Sequence, residues 1–395
     1  MATAVSVDVL IVGGGIAGLW TLARLKQAGY KTVLLEADSL GAGQTRFAQG
    51  IIHGGTKYAL TGKLTASSEA VAAMPALWRD CHQGRGVLDL SQATLLSGAH
   101  YLWSTSSLTS RVSGFFASKV MRARTNELDE KNRPELFNHA EFKGQIYALD
   151  EPVFDAMSVV KAIAEPVMAS ILAVKGNSFK YDNDVLSVQA QDGQDYNFSF
   201  KKVVLTAGQG NAALLTEFEL QQPEMQLRPL KMVMLRGGLS EMVFAHCMGA
   251  SVNPRITITS NRDEKGEVVW YLGGQLAEDG VERSNAEQIK QAKKEISELI
   301  PWLDQSECQW ATLDIDRAEV KKPGTKRPDT FFVEQKNKVI TAWPTKMALS
   351  PLMAESVLKV INDEALSPEH DVELPSWPKP SYASLPWNED ARWLM

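Results

Sequence analysis

Three glycines spaced Gly13-x-Gly15-x-x-Gly18, with the carboxylate of Glu36 following, are the residues of this 395-residue chain whose types and spacing most directly imply chemistry. Gly13 permits a tight turn, Gly15 lets a pyrophosphate approach bare backbone, and Gly18 lets a helix pack closely on a strand. A helix N-terminus behind such a turn presents unpaired N–H groups and a positive dipole end to phosphate. Glu36 is suited to accept hydrogen bonds from ribose hydroxyls, and a carboxylate there disfavours a 2′-phosphate. The chemistry is dinucleotide binding, with NAD and FAD both open at this point. A second small-residue stretch, Gly41 to Gly55, is too glycine-rich to be helical throughout and reads in part as a loop over a ligand.

A glycine motif of this kind carries weight only inside a strand–helix–strand unit, and the sequence supplies one. Val7 to Val12 is a β-branched apolar run that suits a strand buried on both faces. Leu19 to Ala28 reads as a helix with Leu19, Leu22 and Leu25 on one face and Gly29 as its stop. Lys31 to Glu36 is the second strand. Further helices are expected over Ser67–Cys81, Asp155–Ser170, Asn285–Leu299 and Ala348–Asn362. Val87–Tyr101 is strand-like, Ile171–Val174 is a strand, and Val185–Ala190 with Tyr196–Phe200 reads as a hairpin around Asp192-Gly193. Val203 to Gly208 reads as a second buried strand running into glycines. From Arg228 to Leu276 the chain is β-rich, with strands Lys231–Arg236, Arg255–Thr259 and Val268–Leu272, and Val339–Ala342 is a late strand.

The remaining composition sets limits. At 44% apolar and 22% charged residues, the chain has ordinary globular usage and enough material for two or three domains. With 41 basic against 47 acidic residues, the net charge of −6 argues against a broad grip on nucleic acid. Cys81, Cys247 and Cys308 form no C-x-x-C, so neither a metal cage nor a disulfide set is expected, and a reducing, cytoplasmic setting is the simplest reading. The apolar stretch Val9 to Ala23 lacks the features of a signal peptide, and no run of about 20 apolar residues suggests a membrane span. Trp377, Trp387 and Trp393 lie in a Pro-bearing tail and have two readings: packing on the protein, which is favoured, or peripheral contact with the inner membrane face.

In four patches the chain resembles the FAD-dependent oxidoreductases of the D-amino-acid-oxidase type, which include glycine oxidase, FAD-linked glycerol-3-phosphate dehydrogenase and 2-hydroxyglutarate dehydrogenase relatives. The patches are the fingerprint ending in Glu36, the stretch Gly41-Ala42-Gly43-Gln44-Thr45-Arg46 to Ile51-Ile52-His53-Gly54-Gly55, Val203 to Gly208, and Arg228-Pro229-Leu230-Lys231. Ile52-His53-Gly54-Gly55-x-Lys57-Tyr58 looks like the glycerol-3-phosphate branch's His-Gly-Gly-x-Arg-Tyr, with Lys57 in place of arginine. Thr345-Lys346-Met347 to Met353-Ala354-Glu355 looks like that branch's late Gly-Lys-Leu-Thr-Thr stretch and helix. Pro344-Thr345 stands where Gly-Gly is expected, and Ala348-Leu349 where two threonines are expected.

The resemblance implies an α/β fold, with a discontinuous Rossmann-like FAD-binding domain and an inserted, β-rich α+β substrate domain. Residues 1–85, 150–222 and 318–365 are expected to form the first, 86–149 and 223–317 the second, and 366–395 a tail. It implies FAD, held non-covalently, with contacts from Gly13, Gly15, Ile16, Ala17, Gly18, Glu36 and Ala37. Thr45, Arg46, Gly50, Ile51, Ala207, Gly208, Thr345, Lys346 and Met347 complete that set. His53 is the expected base or orienting group, because flanking glycines allow close approach and an imidazole accepts a proton at neutral pH. Arg317 is the expected anchor for an anionic substrate, unless Asp314, Asp316 or Glu319 takes it. Lys346 is expected near the flavin or a substrate phosphate. The other histidines, His82, His100, His139, His246 and His370, are read as surface or satisfied core residues, and Lys321, Lys322, Lys326 and Arg327 as a solvated turn. The implied reaction is oxidation of a small anionic alcohol, glycerol 3-phosphate or a 2-hydroxy acid, with electrons passing to quinone, another acceptor or oxygen. Oxidation of an amino acid or N-substituted glycine is the nearest alternative, and a structural or redox-sensing FAD in a partner complex a further one.

Overall fold

The apolar run at the start of the chain forms β1 (Thr3–Val12), whose Val9, Leu10 and Ile11 are fully buried. The computed structural model describes residues 2–55, 71–105, 125–248, 253–325, 328–364 and 374–393. β1 leads through the glycine turn into helix α1 (Ile16–Gln27) and then β2 (Thr32–Glu36), which pairs parallel to β1. On the other side of β1 lies the strand Asp195–Leu205, also parallel, registered from Thr3 opposite Tyr196 to Val12 opposite Leu205. The sheet continues outward with Ile171–Ala173 beside β2, and with Val339–Trp343 and then Phe332–Lys336 on the opposite flank. α1 starts three residues earlier than its apolar face suggests, because Gly15, in extended conformation, serves as its cap.

The strand expected to begin at Val203 is continuous with the hairpin strand before it. Two lysines interrupt the apolar pattern, but both have partners that let the strand run through. Lys201 Nζ sits 2.7 Å from the buried Asp8, and Lys202 Nζ donates to the Asn337 carbonyl at 3.0 Å. The stretch from Val87 is instead irregular until Leu95–Ser97 and His100–Ser104, where short strands form. Asp89 accepts the Ser91 N–H at 2.9 Å in an Asx turn that competes with extended pairing.

A second eight-stranded sheet runs, in order, through Gln309–Val320, Met225–Arg236, Val268–Gly273, Pro254–Arg262, Ala245–Met248, His100–Ser104, Gln145–Leu149 and Thr125–Glu127. Its longest pairing is antiparallel, Met225 opposite Val320 through Arg236 opposite Gln309. The helix Asn285–Leu299 covers this sheet with Ile289, Ala292, Ile296 and Leu299, and starts at a Ser284–Glu287 capping box.

The last described stretch crosses both sheets. Trp377 packs on Tyr196 and Phe198, the Pro378 carbonyl accepts the Ala173 N–H, and Leu40 exchanges backbone bonds with Ser381 and Ala383. Further on, Trp387 packs against Tyr271, and Asp390 accepts from Arg236 at 3.0 Å while the Arg236 guanidinium lies over Trp393. Trp377 and Trp387 are thus spent inside the protein and are not presented to a membrane interface. No helix among the described residues is long and apolar enough to cross a membrane.

Candidate active site

The first turn is shaped by contacts that only glycine tolerates. Gly13 has φ +110°, and a Cβ there would lie 2.6 Å from the Ala207 backbone. A Cβ on Gly18 would sit 1.9 Å from the Gly13 carbonyl, so α1 rests directly on the turn. Gly15 differs: an added Cβ would meet only the Thr45 hydroxyl, at 3.1 Å. Thr45 itself accepts the Ile16 N–H at 3.1 Å and so lies at the helix N-terminus. Glu36 accepts N–H bonds from Gly14 and from Asp38, and its burial pushes its carboxyl up from the usual range.

These groups line one cleft of about 1760 Å³, larger than a typical small-ligand pocket of roughly 300–1,000 Å³. Its walls include Glu36, Ala37 and Asp38, with Gly13, Gly15, Ile16, Ala17, Gln44 and Thr45. Gly50, Ile51, His53, Ala207, Gly208, Thr345, Lys346, Met347 and Arg317 follow along the same walls. Of the residues singled out in the sequence, Gly18 and Arg46 are not on the walls. Gly18 packs behind the turn. Arg46 is turned to the tail, donating to the Ser384 carbonyl at 3.2 Å with its guanidinium over Phe47. Lys57, Tyr58, Lys326, Arg327 and His370 lie outside the described residues. Lys321 and Lys322 are exposed, as a solvated turn requires.

His53 is placed by a short backbone bridge. Gly50, at φ +73°, comes so close to Phe154 that a Cβ would lie 1.9 Å from its carbonyl oxygen. Ile51 bridges Val153, and Ile52 N–H donates to the Pro152 carbonyl at 2.9 Å. That brings Glu151, 2% exposed, beside His53: Oε2 lies 3.0 Å from His53 Nδ1, and Oε1 accepts the Gly54 N–H at 2.8 Å. An ionised carboxylate only accepts, so it suits a ring protonated at Nδ1, with Nε2 left for other contacts.

Two histidines read from the sequence as surface or satisfied core residues join this group. His246 lines the cleft, stacks on His53 with ring centroids 5.7 Å apart, and shares a 2.8 Å hydrogen bond with Thr257. His100 meets His246 at 4.1 Å, is fully buried, and neither of its ring nitrogens has a hydrogen-bond partner among the described residues. The signal was a histidine inside an apolar strand run, Ala99-His100-Tyr101-Leu102 and Ala245-His246-Cys247-Met248. The three histidines and Glu151 are not arranged to hold a metal.

Burial, then the neighbouring His246 and His53, hold His100 well below the ordinary imidazole value near 6.5. The unfolded chain therefore takes this proton first, and stability is full above about pH 6.5 and drains as pH falls, by about 1.4 kcal/mol per pH unit. His100→Leu removes that slope and the two unmet ring nitrogens together. Thermal melts at pH 7.5 and 5.5 are expected to show a smaller acid loss in the variant; equal losses would contradict this account.

Cationic groups occupy the same cleft. Arg317 sits on Gln309–Val320, with Nε donating to the Arg228 carbonyl at 3.3 Å, and the strand is tied to the cofactor loop where Ala318 N–H donates to Gln44 at 2.7 Å. Of the three carboxylates near it in sequence, Glu319 pairs with Arg228 and Asp314 with Lys231. Arg228, not singled out from the sequence as a site residue, also lines the cleft, and its Nη2 is buried without a partner among the described residues. Thr345, where Gly-Gly is expected, keeps the left-handed conformation at φ +57° and donates its hydroxyl to the Thr330 carbonyl.

The fit to a flavin dinucleotide is good on the walls themselves. A Cβ on Gly43 would meet nothing within 4 Å, and one on Gly208 only Gln44 at 3.9 Å, so bare backbone faces the cleft where a ligand must come close. Such a cleft, running from a Rossmann-type first turn to a histidine and two arginines on a second sheet, defines a dinucleotide-dependent oxidoreductase. The chain belongs to the FAD dependent oxidoreductase (DAO) family, whose sequence profile matches residues 8–342, and FAD is its cofactor. It is 45% identical over 388 residues to the FAD-dependent oxidoreductase PA4991 of Pseudomonas aeruginosa, covering 98% of this chain and 99% of that one. The crystal structure of PA4991 superposes with a TM-score of 0.85 at 41% identity, again over 98% and 99% of the two chains. Glycine oxidase from Geobacillus kaustophilus shares the fold, with a TM-score of 0.61 and 16% identity over 91% of this chain and 95% of that one. So does FAD-bound L-alpha-glycerophosphate oxidase from Mycoplasma pneumoniae, with a TM-score of 0.63 and 13% identity over 97% and 100%.

Proposed function

We propose that this enzyme oxidises a small anionic alcohol, glycerol 3-phosphate or a 2-hydroxy acid, to the carbonyl. The observation that carries the reading is His53, held at the cleft by the buried Glu151 carboxylate at 3.0 Å. An alcohol must lose its O–H proton as its C–H bond breaks, so it needs a base; an amine that binds neutral needs none. His53 Nε2 takes that proton, and Arg317, Arg228 and Lys346 on the same walls favour an anionic group on the substrate. FAD, when bound, supplies the acceptor for the hydride. The three cysteines are all buried and stand outside the cleft lining, which supports non-covalent FAD. Quinone, another acceptor or oxygen then takes the electrons.

The test is anaerobic bleaching of the purified holoprotein's flavin near 450 nm, a usual flavin absorption region. The panel holds glycerol 3-phosphate, 2-hydroxy acids, D- and L-amino acids and N-methylglycine. Bleaching by a hydroxy compound is the expected result. Bleaching by glycine or another amine alone would move the enzyme to the chemistry that glycine oxidase's name describes and overturn the proposal.

A further inference from the structure

We propose that Glu151 is the positioning residue of the active site, fixing His53 in the tautomer with a proton on Nδ1 and a bare Nε2 toward the cleft. The inference rests on the reading of His53 as the base. Three features of the structure point to this role. Glu151 is almost wholly buried, and it meets His53 Nδ1 with one oxygen and the Gly54 N–H with the other. It therefore fixes the ring and the glycine after it with the same group. A carboxylate in so dry a place also stabilises the imidazolium that forms when Nε2 takes a proton.

The surroundings leave this task to Glu151. The neighbouring carboxylate, Asp150, points to solvent and pairs with Arg79. The ring stacked on the other face of the group is His246, hydrogen-bonded to Thr257. Behind it His100 is sealed from water, so the row of three rings is not built to spread charge away from His53. The proton taken from the substrate stays on the ring that Glu151 faces, and it leaves by Nε2 once product has gone.

Glu151→Gln is the discriminating change because it is nearly isosteric but offers one acceptor and one donor where two acceptors are required. If its oxygen keeps the Gly54 N–H, its amide N–H meets His53 Nδ1, and the ring must move its own proton to Nε2. Long-range proton–nitrogen NMR of histidine-labelled holoenzyme reads this tautomer without any substrate, with His53→Gln assigning the signal. Wild type is expected to show protonated Nδ1 and bare Nε2, and Glu151→Gln the reverse, at unchanged flavin content. In stopped-flow reduction by glycerol 3-phosphate or lactate, the variant is expected to be slower by about 10²-fold. Glu151→Asp, which keeps the charge, is expected to recover part of the rate. A wild-type ring protonated at Nε2, or a Gln variant with unchanged tautomer and rate, would overturn the proposal. A tautomer change as expected, in an enzyme whose flavin is reduced normally after His53→Ala, would uphold the coupling and remove the alcohol reading alone.

Discussion

His53→Ala is expected to leave the protein yellow and to slow anaerobic reduction of its flavin by a hydroxy substrate about 10³-fold. That corresponds to about 4 kcal/mol of lost transition-state stabilisation, within the range for general-base groups. The retained colour follows from position: the groups around the first turn, Gly13, Gly15 and Thr45, do not depend on this side chain for their contacts. The loss follows from the shortage of substitutes. His246 faces the same cleft, but its ring is held by the Thr257 hydroxyl at 2.8 Å. Flavin content, from the ratio of absorbance near 450 nm to protein absorbance, separates the two effects. A variant that bleaches at nearly the wild-type rate would show that the departing proton needs no imidazole and would point to amine chemistry.

Gly18→Ala should cost both fold and cofactor. The methyl group would overlap the Gly13 carbonyl at 1.9 Å, and the contact is backbone to backbone, so no side chain can swing aside. Overpacking of this kind costs about 3 kcal/mol or more, since the turn must open for the helix to remain. Gly15→Ala provides the contrast. Its methyl meets only the Thr45 hydroxyl at 3.1 Å, so the protein is expected to fold with a near-normal melting temperature and to lose FAD affinity. Thermal melts of the flavin-stripped proteins, with flavin content after purification, read the two outcomes separately. A Gly18→Ala protein as stable as wild type, or a Gly15→Ala protein carrying a full complement of FAD, would show that the two glycines have been assigned the wrong tasks.

The cofactor end of the cleft was legible because its determinants are local. Gly13, Gly15, Gly18 and Glu36 lie within one strand–helix–strand unit, and the physics of the turn is written in residue spacing. The helix Asn285–Leu299 was legible to the residue because a capping box and a regular apolar face mark it. The strand Gln309–Val320 alternates inward and outward at Leu313-Asp314-Ile315-Asp316, but the charges from Asp314 to Glu319 obscure that period in the sequence. The catalytic end was legible only in part. His53 stood out among glycines, but Glu151 is 98 residues away and meets it through a single bridge, Ile51 to Val153. His100 and His246 come together because their strands pair in parallel, Tyr101 opposite Ala245, and no local pattern records which strands will be neighbours.

The tail that crosses both sheets gives this protein a particular order of biosynthesis. Chains begin to fold from the N-terminus as they leave the ribosome, and here the glycine turn is made well before the segments that enclose it. The loop beside it is not closed until far later, since Leu40 is held by Ser381 and Ala383, and Arg46 by Ser384. The parallel sheet around β1 likewise waits for Val339–Trp343. Until those later segments are in place, the nucleotide-binding motif stands without the walls that retain a nucleotide, and locking of the loop by Ser381, Ala383 and Ser384 completes the cofactor's enclosure.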